Sequence, residues 1–207
     1  KMLNKEHQIL EEFVKTPWKK FTFREIKKLS GKKSESYVYN SLKKFVKSNI
    51  LKEERVGNVV LYSLNLSLHK TMAYASFVLE YLSWNKKYIP YKDIEKIASK
   101  VPTKLFTFVI TGSYAKNTQK KTSDIDVVIL CDVTFETKKI YAELKQDCEL
   151  NIPPIHLYVF KNSEFLEMLL NKGANYGKEI ANKNLILFGA ENYYKIIAEA
   201  IKSGFTG

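Results

Sequence analysis

Apolar residues recur at helical spacing from the start of the chain. Ile9, Leu10, Phe13 and Val14 fall on one face of a helix over residues 5–14, which Thr16-Pro17 stops. Phe21-Thr22-Phe23 reads as a short extended piece. Residues 24–29 then read as a second helix with Ile26 and Leu29 buried, closed by the tight turn that Ser30-Gly31 favours. Ser34 caps a third helix, with Tyr37, Val38, Leu42, Phe45 and Val46 on its apolar side. The period changes after Ser48-Asn49: residues 50–56 and 59–64 are β-prone runs joined by Gly57-Asn58, a hairpin signal. Residues 68–87 are helical again. Met72, Ala75, Leu79 and Leu82 form a stripe that Phe77, Tyr81 and Trp84 widen, an apolar face broad enough to call for burial between domains or in a dimer seam.

Residues 91–99 make a shorter amphipathic helix, and Pro102 leads into a second region. Residues 105–110 form an apolar run of strand type ending at Gly112-Ser113, and residues 125–130 form another. A helix over 134–150 follows, and Pro153-Pro154 ends the link to a strand over 155–160. Its alternation puts His156, Tyr158 and Phe160 on one face and Ile155, Leu157 and Val159 on the other. Ser163 is expected to cap a further helix carrying Phe165, Leu166, Leu169 and Leu170. Residues 176–183 read as helical, 185–189 as a short apolar run, and 191–203 as the last helix. The whole reads as α+β, the second region being a small mixed sheet with helices on one side.

The chemistry concentrates between residues 112 and 126. Gly112 permits a tight turn out of the strand, and Ser113 opens a short helix whose backbone N–H groups can face an anion. Asp124 and Asp126 stand two residues apart at the mouth of the next strand, so both project from one face. Carboxylates that close repel one another unless a cation lies between them, and a hard divalent ion such as Mg2+ takes oxygen ligands while leaving places for phosphates. Strand, Gly-Ser, short helix, then Ser123-Asp124-Ile125-Asp126 and an apolar strand resembles the polymerase-beta-like nucleotidyltransferase superfamily, particularly its minimal members. The resemblance implies that Gly112, Ser113, Lys116 and Ser123 bind the nucleoside triphosphate and that Asp124 and Asp126 are catalytic and hold Mg2+, in a site that can take two metal ions. Two departures stand out. Asn117 or a neighbour occupies the region of a second family glycine, and a left-handed backbone is tolerated there by asparagine. His156 falls where the family carries a third acid; an imidazole is a poor Mg2+ ligand but a competent base near neutral pH.

Composition adds a second theme. The 207 residues are 45% hydrophobic, enough for a real core, and carry a net charge of +12. Residues 1–67 hold 15 Lys and Arg against 7 Asp and Glu, a net +8, while the other 140 residues carry +4. Charge concentrated on a small module is the footprint of a nucleic-acid binder. Helix, short strand, helix, turn, helix and hairpin over residues 5–66 resembles a winged helix-turn-helix. That resemblance implies binding to double-stranded DNA: the third helix in the major groove, with Ser36, Tyr39, Asn40 and Lys43 facing bases or phosphates, and Lys32, Lys33, Lys44, Lys47 and Arg55 adding phosphate contacts. Cys131 and Cys148 lack metal-ligand spacing and read as reduced, structural thiols. No membrane span or signal segment is evident, so a cytoplasmic location is expected.

The expected organisation is a winged helix-turn-helix over 1–67, a helical connector over 68–101, which offers a homodimer seam, and a nucleotidyltransferase-like domain over 102–207. Three functions compete: Mg2+-dependent transfer of a nucleotidyl group to a hydroxyl acceptor, a nucleotide-sensing transcriptional regulator with a catalytically weak site, and an antitoxin-like partner of a small helical toxin.

Overall fold

The computed structural model describes residues 6–132, 134 and 136–207. The sequence readings that include residues 1–5, 133 and 135 therefore lie partly outside the described residues.

The N-terminal part comprises α1 (His7–Lys15), β1 (Phe21–Thr22), α2 (Phe23–Leu29), α3 (Glu35–Lys47) and a hairpin of β2 (Leu51–Val56) and β3 (Val59–Leu64). The strands form an antiparallel sheet in the order β1-β3-β2. Phe23 is not extended as read from sequence but opens α2. Thr22 accepts the N–H of Glu25 on its side chain while Glu25 accepts the N–H of Thr22 at 2.7 Å, so two otherwise unpaired donors are satisfied one residue earlier than expected. Ser34 caps α3 by accepting the N–H of Tyr37. Ile9, Leu10, Phe13, Ile26, Val38 and Leu42 make the core of this part. Leu29 does not join it: at the last turn of the short α2 it is 51% exposed, while Ile26 is buried and Phe23 packs partly buried against the core.

The second sheet has the order β6-β5-β4-β7, built from β4 (Phe106–Ile110), β5 (Ile125–Cys131), β6 (Ile155–Lys161) and β7 (Leu185–Phe188). β4 runs antiparallel to both β5 and β7, and β5 runs parallel to β6. The apolar run at 185–188 is thus an edge strand. Helices cover both faces of this sheet, not one. Phe108, Ile110, Val127 and Ile129 pack with Ile94 and Ile97 of α5 (Tyr91–Ser99) and with Ile140 and Leu144 of α7 (Thr137–Glu149). Val109, Val128, Leu130 and Ile186 pack on the other side with residues of α8 (Asn162–Leu170) and α10 (Ala190–Lys202). The reason lies in β4 and β5, whose successive side chains are apolar in both directions, so each face needs a cover. α8 starts at Asn162, ahead of the expected Ser163 cap, because Glu164 reaches back to the N–H of Lys161 at 2.7 Å. Cys131 and Cys148 are buried free thiols.

The long helix α4 (His69–Trp84) lies between the two sheets. Ala75, Val78 and Leu79 are buried in one apolar cluster that runs from α1 to α10, while Phe77 is 44% exposed. Polar contacts tie the same elements together. The Tyr194 hydroxyl donates to the Val14 carbonyl at 2.7 Å, the Trp84 indole N–H to the Leu187 carbonyl at 2.8 Å, and Glu80 accepts the Ala190 N–H at 2.8 Å. Among the described residues no helix is long and apolar enough to cross a membrane.

Candidate nucleotide and metal site

β4 ends at Ile110, and the extended Thr111 donates its N–H to the Asp126 carbonyl at 2.9 Å. The chain turns at Gly112, whose φ is +63°, and enters the five-residue helix α6 (Gly112–Lys116). A β-carbon at Gly112 would lie 1.9 Å from Oδ2 of Asp126, so only glycine lets this backbone touch that carboxylate. Asn117 closes α6 in the left-handed conformation, φ 55°, as its residue type allows. Tyr114 anchors the helix in the core and Ser113, beside Gly112, is half-buried.

Asp126 is the second residue of β5 and is half-buried, whereas Asp124 is exposed just before the strand. Ser123 closes the turn ahead of them by accepting the Lys120 N–H at 2.9 Å on its hydroxyl. Burial pushes the Asp126 carboxyl above its usual range; His156 opposes that shift, Asp124 and Glu179 reinforce it, and Lys116 opposes it.

His156 stands directly opposite Asp126 in the parallel β5/β6 pairing. Its Nδ1 lies 3.6 Å from Oδ1 of Asp126 and 3.4 Å from the Tyr158 hydroxyl. The His156 and Tyr158 rings are 4.7 Å apart, and Tyr158 in turn lies 4.9 Å from Tyr176 on α9 (Tyr176–Asn182). One turn further along α9, Glu179 pairs with Lys116 at 2.8 Å. Lys116 therefore reaches α9, and not an open phosphate position. Tyr176 and Glu179 are the site neighbours that sequence reading missed. Their i, i+3 spacing places them on one helix face, but nothing local says that this face meets β6.

Among the described residues no group of three or more His, Cys, Asp or Glu is arranged to hold a metal ion. The two aspartates still fit a hard divalent cation, because Mg2+ is commonly held by one or two carboxylates and completed by substrate phosphates. An added cation would also relieve the cost of ionising the half-buried Asp126.

On the N-terminal part, Lys33, Ser36, Tyr39, Asn40, Lys44, Lys47 and Arg55 are exposed, with Lys32 and Lys43 half-buried. Some of this charge is paired internally. Lys43 pairs with Glu53 at 2.9 Å, Lys44 with Glu6 at 2.8 Å, and Lys32 with the side-chain oxygen of Gln8.

Searches of the curated proteins and of the solved structures return no match. The sequence model of the nucleotidyltransferase domain matches residues 78–188, a span that runs from within α4 to the end of β7 and includes Gly112, Ser113, Asp124, Asp126 and His156. That span exceeds half of the chain, and the protein belongs to the nucleotidyltransferase domain family.

Proposed function

We propose that the protein transfers a nucleotidyl group from a nucleoside triphosphate to a hydroxyl acceptor, with Mg2+ held by Asp124 and Asp126. The observation that supports this reading is the direct approach of the Gly112 backbone to the Asp126 carboxylate, so that a turn able to bind an anion and an acid able to hold a metal would act together. Gly112 and Ser113 would hold phosphate oxygens through backbone N–H groups and the serine hydroxyl. Ser123 keeps Asp124 beside the strand mouth, and Lys116, once turned from Glu179, adds positive charge. Bound Mg2+ supplies charge that offsets the charge developing on the transferring phosphoryl group. His156, which stands opposite Asp126 on β6, supports a base that would receive the acceptor proton where the family carries a third acid. The test is pyrophosphate release from each triphosphate with Mg2+ across a broad acceptor set. Release that Asp126→Asn abolishes is expected, and no release from any triphosphate would overturn the reading.

The N-terminal part supports a second component, a winged helix-turn-helix that binds double-stranded DNA. Three helices, a three-stranded sheet with a hairpin, and the exposed row Ser36, Tyr39 and Asn40 on α3 favour it. Lys33, Lys43, Lys44 and Arg55 would contact phosphates; Lys43 and Lys44 must first leave their glutamates. Because α4 packs into one cluster with both parts, nucleotide bound at one site can bias DNA binding at the other, the behaviour of a nucleotide-sensing regulator. Equal DNA affinity with and without saturating nucleotide would remove that regulatory role.

A further inference from the structure

A phenol hydroxyl of the protein itself stands beside the site. Tyr158 lies two residues beyond His156 on the same face of β6, and its hydroxyl is 3.4 Å from the His156 Nδ1 that also lies 3.6 Å from Asp126. Acid, imidazole and phenol thus form a continuous row leading away from the carboxylate that Gly112 touches. A hydrogen bond of 3.4 Å is long, as such contacts often are before substrate tightens a site. Other tyrosines of the region are less suited. Tyr114 is buried, and Tyr176, half-buried like Tyr158, stands on α9 and not beside His156 on β6.

We infer that Tyr158 is an internal acceptor, a self-nucleotidylation site that the protein modifies with its own nucleoside triphosphate. The inference rests on the transferase reading above. In the step, the Tyr158 phenolic oxygen forms a bond to the α-phosphorus of the triphosphate while the bond from that phosphorus to the bridging α,β oxygen breaks. Pyrophosphate leaves with the electron pair, and the phenol proton passes to Nδ1 of His156. No oxidant, reductant or further co-reactant is required. The product carries a nucleoside monophosphate on β6 beside Asp126, where it fills the space an external acceptor would need, so modification would also restrain turnover on other acceptors.

The experiment is intact-protein and peptide mass spectrometry of the full chain, both as purified from cells and after incubation with ATP and Mg2+, run beside pyrophosphate detection. One adenylyl group on Tyr158 is expected. Tyr158→Phe keeps the ring that packs against Tyr176 and removes only the hydroxyl, so it is expected to lose the adduct while retaining the wild-type melting temperature and nucleotide affinity. His156→Gln is expected to slow adduct formation. Nucleotidyl transfer to an added acceptor, with pyrophosphate released but no adduct on wild-type protein, would overturn the inference and leave the transferase reading standing. An adduct that persists in Tyr158→Phe would overturn it as well. Absence of both adduct and pyrophosphate would overturn the two together.

Discussion

Gly112 and Asp126 are in such close contact that a single methyl group on the former would collide with Oδ2 of the latter at 1.9 Å. Gly112→Ala therefore has two costs: the positive φ, roughly 1–2 kcal/mol for a residue with a β-carbon, and displacement of the Asp126 carboxylate. We expect a lower melting temperature together with loss of nucleotide affinity, measured by thermal unfolding and by calorimetric titration with ATP and Mg2+. An alanine variant that binds ATP as tightly as wild type would show that the close approach is not used.

Lys116 and Glu179 are both substantially exposed, so their ion pair contributes only about 0–1 kcal/mol to stability. Lys116→Ala should leave the melting temperature almost unchanged. If Lys116 turns to the triphosphate, the same variant should weaken ATP binding about tenfold, equivalent to ~1.4 kcal/mol. Parallel thermal and binding measurements separate the two roles.

Glu80 gives a pH dependence whose sign can be worked out. Burial raises its carboxyl above the ordinary value of 4.5, against the N–H groups of Ala190 and Gly189, which lower it. The folded protein then holds this proton more tightly than the unfolded chain, so the group's contribution to stability is greatest below the usual carboxylate range and falls as pH rises through the raised value. Glu80→Gln keeps an acceptor for Ala190 and should flatten the pH profile of unfolding in that window. Glu80→Ala should cost on the order of 1 kcal/mol at all pH values through loss of the helix contact.

Tyr194 is fully buried, and its hydroxyl satisfies a carbonyl in the last turn of α1, where helices leave such groups unpaired. Tyr194→Phe should destabilise the protein by about 1–3 kcal/mol, the usual range for stranding a buried acceptor. Chemical denaturation monitored by fluorescence would measure it.

For the basic module, replacing Lys33 or Arg55 by alanine should weaken binding to any duplex and lower the salt slope of log affinity by about 0.9 for each phosphate no longer neutralised. Affinity that does not respond to salt would exclude DNA as the ligand of this face.

Sequence reading recovered what local rules control. The Ser34 cap, the Gly57 hairpin and the left-handed Asn117 follow from side-chain or backbone preferences of single residues, and the structure contains each. The Gly112, Asp126 and His156 neighbourhood was also legible, because a fixed turn and strand alternation set which groups share a face. Tertiary placement was not. Leu29 is apolar and in helical register, yet α2 turns it outward. β7 is four residues between two helices, and only its pairing with β4 makes it a strand. Glu179 and Tyr176 meet the site through the docking of α9, an approach of segments distant in sequence that no local pattern encodes.

The apolar cluster that joins α1, α4 and α10 includes residues of both sheets. The family match begins at residue 78, midway along α4, so a fragment cut there would lose the first half of that helix and expose the side of α10 that faces Val14. Inheritance and folding thus draw different borders through this protein. The span that relatives share is shorter than the span that can melt as one, and heating should reveal a single transition in which both sheets dissolve together.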